Sequence, residues 1–102
     1  MTMQIAQTIL AQLGGNRFIA MTGAKDLVGS DNTLRFRLPA RFAKDGITHV
    51  AVTLDGSDTY TVKAMKWQAR KLEMATVSEV SDVYADSLPR VFTSMTGLDT
   101  RL

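Results

Sequence analysis

Between residues 33 and 64, apolar and polar side chains alternate in three short runs separated by turn residues. In the first, Leu34, Phe36 and Leu38 point one way and Thr33, Arg35 and Arg37 the other. Pro39 follows and, lacking an N–H, ends the run. Residues 48–55 repeat the pattern with Val50, Val52 and Leu54 on the apolar side. A short turn at Gly56, Ser57 and Asp58 leads into residues 59–64, with Tyr60 and Val62 on that side. Period-two alternation places one covered and one open face on an antiparallel sheet. Whatever else the chain forms must cover the apolar face.

The ends of the chain supply helices for that purpose. Thr2 is the expected N-cap of a helix in which Ile5, Ala6, Ile9 and Leu13 fall at helical spacing and Leu10 widens the stripe. Gly14 is expected to end it in the left-handed conformation. The first sixteen side chains are uncharged, so this helix needs a sheet or a partner chain to pack on. Residues 17–22 (RFIAMT) are β-prone but alternate poorly, which predicts a strand covered on both faces. Residues 29–32 (GSDN) form a turn cluster. Residues 64–75 admit two readings. Their composition favours a helix, but alternation continues through Trp67 and resumes at Leu72 and Met74. Two strands joined by a polar turn at 68–70 are preferred. Asp86 is the expected N-cap of a last helix, with Pro89 in its first turn. Leu88, Val91, Phe92 and Met95 form its apolar face, and Gly97 and Leu98 its ending. The predicted fold is α+β: an N-terminal helix, an antiparallel meander of four to five strands and a C-terminal helix, with the helices on one sheet face. No internal repeat or low-complexity linker interrupts it.

With 102 residues, the chain is expected to be a single domain, 1–102. It has no cysteine, hence no disulfide and no thiolate metal site, which fits a reducing compartment. No apolar run approaches the roughly 18 residues of a membrane span, and the start lacks the basic region of a signal peptide. A cytoplasmic protein with no membrane partner is therefore expected. The net charge of +2 is unevenly spread. Residues 17–71 carry ten Lys/Arg against five Asp, whereas residues 72–102 carry two Arg against five Asp/Glu. The basic middle could meet an anionic partner.

Several stretches together resemble a family of short hypothetical proteins of phages, prophages and mobile elements with no assigned activity. They are LAQLGGNRFIAMTGAK (10–25), LRFRLP (34–39), DTYTV (58–62), VYAD (83–86) and FTSMTGLDTRL (92–102). Pro89 departs from the plain helix former expected at its place. The resemblance implies a phage or prophage origin and a location in the host cytoplasm, and it transfers no site residue.

The side chains offer little for catalysis. His49 is the single histidine and has no companion at metal-ligand spacing. Gly14–Gly15 and the run Thr22, Gly23, Ala24, Lys25 do not match a phosphate-loop pattern. Asp55 with Asp58, and Asp82 with Asp86, are accounted for by turn and cap chemistry. No enzyme, cofactor or metal is expected. The polar sheet face is the better candidate. Arg17, Lys25, Arg35, Arg37, Arg41, Lys44 and Lys63 could track the phosphates of a nucleic acid, with Trp67 as a stacking surface. Tyr60 would also stack, but it lies on the core side. The alternative is a homo-oligomeric interaction or assembly factor, using the uncharged first helix and the six methionines.

Overall fold

The computed structural model describes residues 4–39, 43–56 and 58–98. Two N-terminal helices come first: α1 (Gln4–Leu13) and α2 (Asn16–Thr22). Five strands follow: β1 (Lys25–Gly29), β2 (Thr33–Arg37), β3 (His49–Leu54), β4 (Tyr60–Gln68) and β5 (Glu73–Val83). The last helix is α3 (Leu88–Thr96). The strands form one antiparallel sheet in chain order, β1-β2-β3-β4-β5. The α+β class, the meander and the helix at each end agree with the sequence reading. Residues 64–75 are strand, turn and strand, with β5 running on to Val83, but the turn takes residues 69–72 instead of 68–70, so Leu72 lies in the turn and not in the strand.

The helices share one sheet face. From α1, Ala6, Ile9 and Leu13 are buried, and from α3, Leu88, Phe92 and Met95. They meet Leu34 and Phe36 of β2, Val50 and Val52 of β3, and Val62 and Ala64 of β4 in one core. At its centre the Phe18 ring meets Phe36 edge-on at 5.3 Å and Phe92 at 5.2 Å. Edge-to-face pairs of this kind add about 0.5–1.5 kcal/mol beyond the area they bury.

Residues 17–22 are a correction: they form the helix α2, not a strand. Gly14 and Gly15 both take positive φ (130° and 62°), reversing the chain into a second helix instead of extending it. Phe18 and Thr22, four residues apart, are the buried positions, so the poor alternation was a helical period. The Thr22 hydroxyl donates to the Phe18 carbonyl at 2.8 Å and accepts from the Ala24 N–H at 3.2 Å. Gly23 closes the helix in the left-handed conformation, and its N–H donates to the Ile19 carbonyl. A side chain there would bring a Cβ within 2.9 Å of the Pro39 ring. β1 therefore begins only at Lys25.

Two smaller corrections concern helix starts and repeats. Ser87, not Asp86, is the residue before α3; Asp86 sits in a 3₁₀ turn, Ala85–Ser87, that leads into the helix. Pro89 lies in the first turn of α3, where a missing N–H leaves no helical acceptor unpaired. The six-residue pattern Phe-x-x-Met-Thr-Gly also occurs twice, at 18–23 and 92–97, ending α2 and α3 in the same way. Thr2, expected as a cap, lies outside the described residues, as does Ser57 of the β3–β4 turn.

Candidate nucleic-acid interface

The face of the sheet away from the helices carries its polar residues in rows set by strand register. One row runs Lys25, Arg37, His49, Met65 and Thr76 across the five strands. The next runs Val28, Arg35, Ala51, Lys63 and Glu79. A third holds Thr33, Thr53 and Thr61, where the first two hydroxyls lie 3.0 Å apart and Thr61 donates to Asp55 at 2.7 Å. Beyond the Lys25–Arg37 row, Trp67 faces Met74 across β4 and β5. Arg35 and Arg37 are exposed and Lys63 half-buried, while Leu34 and Phe36 between them are buried. The alternation read from the sequence thus puts Arg35, Arg37 and Lys63 on one open face, and the pairing of β1 with β2 adds Lys25, so four of the seven candidate cations share it.

The other three are not brought there. Arg17 is exposed on α2, in the helix layer. Lys44 is exposed on a 3₁₀ turn (Lys44–Gly46), and its aliphatic stem runs beside Gly97 at the end of α3. Arg41 lies outside the described residues.

At one end of the face, Lys25, Arg37, Leu38, Thr48, His49 and Trp67 line an open cleft of about 240 Å³. Buried Leu38 contributes an apolar wall, and Trp67 is 44% exposed. Thr48 ties the cleft together. Its hydroxyl oxygen accepts the backbone N–H of Trp67 at 2.9 Å and lies 2.8 Å from Nδ1 of His49. That oxygen keeps a second lone pair and its own proton, so it pairs with Nδ1 in either imidazole tautomer, donating to the bare nitrogen or accepting from the protonated one. Burial lowers the His49 pKa from its ordinary value of 6.5, and Arg37 and Arg35 lower it further against an opposing pull from Asp26. The imidazole is thus held neutral beside two guanidinium groups.

Arg37 makes one ion pair in this region, to Asp26 at 3.1 Å, with the two side chains 46% and 62% exposed. Such an exposed pair contributes little, so a phosphate can displace the carboxylate at small cost. Indole, guanidinium, ammonium and a neutral imidazole around one apolar-walled cleft can hold an anion beside a flat ring. Among the described residues no group of three or more His, Asp or Glu could hold a metal ion, and no helix is long and apolar enough to cross a membrane.

The sequence reading passed over Lys66, Arg70 and Lys71 as site residues. All three are exposed on the β4–β5 hairpin. The signal was present: reading residues 64–75 as strand, turn and strand puts Arg70 and Lys71 in the turn and Lys66 at the base of the same hairpin, where its stem lies beside Gly46. It also passed over Thr48, whose role depends on contacts with residues 1 and 19 positions away.

Comparison with protein-family models, with curated proteins and with solved structures finds no match to this chain.

Proposed function

We propose that the chain is a small, non-catalytic binding module of phage or mobile-element type, acting in the host cytoplasm, that holds a nucleic-acid strand on its open sheet face. The observation that carries this reading is the open cleft that exposed Trp67, Lys25 and Arg37 line together. A base stacks on the indole while the cations take the neighbouring phosphates, the usual division of labour in single-strand binding. Arg35 and Lys63, one row away, extend the charged path across the sheet.

Fluorescence anisotropy with labelled DNA, at low and at physiological salt, tests the reading. Four phosphate contacts on a single strand correspond to a log–log salt slope of about −3. The chain's one tryptophan supplies a second signal, quenched as a base stacks on it. Arg35→Glu with Arg37→Glu should abolish binding at physiological salt and leave the circular dichroism unchanged. Retention of DNA by the double variant, or no binding by the wild type at low salt, overturns the reading.

A second reading, self-assembly, is favoured by the exposed apolar side chains Trp67, Leu72, Met74 and Val77 on β4, β5 and their turn. The first helix lends it no support, because Ala6, Ile9 and Leu13 are buried on the sheet. A monomeric mass by light scattering at all concentrations excludes it.

A further inference from the structure

The β4–β5 hairpin projects beyond the rest of the sheet. Strand pairing between β3 and β4 starts at His49 and Met65, so residues 66–75 continue as a ribbon of two strands. Trp67 pairs with Met74 and Gln68 with Glu73, and the turn is closed by the Lys71 N–H on the Gln68 carbonyl at 3.1 Å. This ribbon carries three cations, Lys66, Arg70 and Lys71, against one carboxylate, Glu73. At its tip stands Leu72, 77% exposed and with φ at +52°.

Leu72 is anomalous on both counts. A branched apolar side chain gains nothing from exposure, and an L-residue with a bulky Cβ is disfavoured in the left-handed region. The other four described non-glycine residues at positive φ are Asp26, Asp45, Asp58 and Asp82, whose short polar side chains tolerate it. At this turn position glycine would relieve the backbone without uncovering any of the core.

We propose that the ribbon is a groove-binding arm for duplex DNA: it enters the minor groove, Lys66, Arg70 and Lys71 contact the flanking phosphates, and Leu72 wedges between base pairs and bends the duplex. The inference rests on the nucleic-acid reading of the sheet face and extends it to a double-stranded substrate. The charge balance of the ribbon suits a polyanion and opposes the pairing of this ribbon with the same ribbon of a second copy. Proteins that bend DNA through the minor groove use the same combination, basic side chains on the backbone and an apolar wedge at a base step. Trp67, at the base of the ribbon, joins the arm to the cleft on the sheet.

The test uses the full chain, a short duplex with a dye at each end, and a single strand of the same sequence. Wild type should bring the duplex ends together, read as a rise in energy transfer. Leu72→Gly should fold with an unchanged or raised urea midpoint, keep single-strand binding, and show no rise in transfer. Arg70→Gln with Lys71→Gln should reduce the salt slope of duplex binding by about 2, one for each phosphate that the variant no longer neutralises. Single-strand binding without any duplex bending overturns the arm and leaves the sheet-face reading standing. Bending by Leu72→Gly equal to wild type does the same. Failure of the wild type to bind either form overturns both.

Discussion

At the scale of single residues, His49 is the group through which pH reaches this face. Its pKa is lowered by burial first and by Arg37 and Arg35 second. The unfolded chain, with an ordinary histidine near 6.5, therefore takes up the proton more readily than the folded one. Stability is then independent of this group above that pH and declines as the pH falls through 6.5 and on through the lowered folded value. An NMR titration should place the imidazole below 6.5, and Arg37→Gln should move it upward. A phosphate placed on Arg37 cancels the same repulsion, so binding raises the His49 pKa and takes up a proton. DNA affinity should accordingly increase as the pH is lowered through this window, and His49→Gln should remove the increase. An imidazole that titrates at the ordinary value, or an affinity that is flat with pH, contradicts the assignment. The lone histidine was visible in the sequence, but its setting was not. The two guanidiniums act on it from the neighbouring strand, a register that periodicity alone does not supply.

At the scale of elements, the repeated Phe-x-x-Met-Thr-Gly ending explains both a success and an error of sequence reasoning. In α3 the pattern follows a proline and an apolar face at clear helical spacing, and a helix is read correctly. In α2 the same six-residue pattern follows two glycines and is rich in β-formers, and propensity points to a strand. Tertiary packing decides: Phe18 reaches the core only if Thr22 falls one turn behind it. The two threonines are near copies, since Thr96 donates to the Phe92 carbonyl at 2.9 Å and accepts from the Leu98 N–H at 3.2 Å. Both are buried, so losing either hydroxyl strands a backbone N–H away from water. Thr22→Val and Thr96→Val should each lower stability by about 1–3 kcal/mol, measured by urea unfolding. A neutral result at either would mean that the hydroxyl is replaceable by solvent. The edge strands show a second device that alternation hides. β1 and β5 carry register shifts, and Asp26 and Asp82 take positive φ within those strands. Bulges of this kind twist an edge away from a flat partner, which works against sheet-to-sheet addition of further copies.

At the scale of the molecule, the sheet separates two tasks. Its inner face is spent on the core with α1, α2 and α3, and its outer face holds the cations and the cleft. That division was legible in the sequence, because alternation in residues 33–38, 48–55 and 59–64 assigns Arg35, Arg37 and Lys63 to the side opposite Phe36, Val50 and Val62. The position of Arg17 and Lys44 was not, since it depends on where α2 and the 3₁₀ turn pack, and both lie away from the open face. The separation makes stability and binding independently adjustable. Phe18 touches both Phe36 and Phe92 and is fully buried, so it links the helix layer to the sheet. Phe18→Ala should cost about 3–5 kcal/mol, a large share of the roughly 5–15 kcal/mol that holds a domain folded. Phe18→Leu should cost less and leave a folded population to study. Because these rings pack on the inner face of the sheet, the Leu variant should show a lowered urea midpoint and, per folded molecule, an unchanged DNA affinity and salt slope. An affinity that falls in step with stability would mean that the helix layer itself takes part in binding, and Arg17 on α2 would then be the first residue to change.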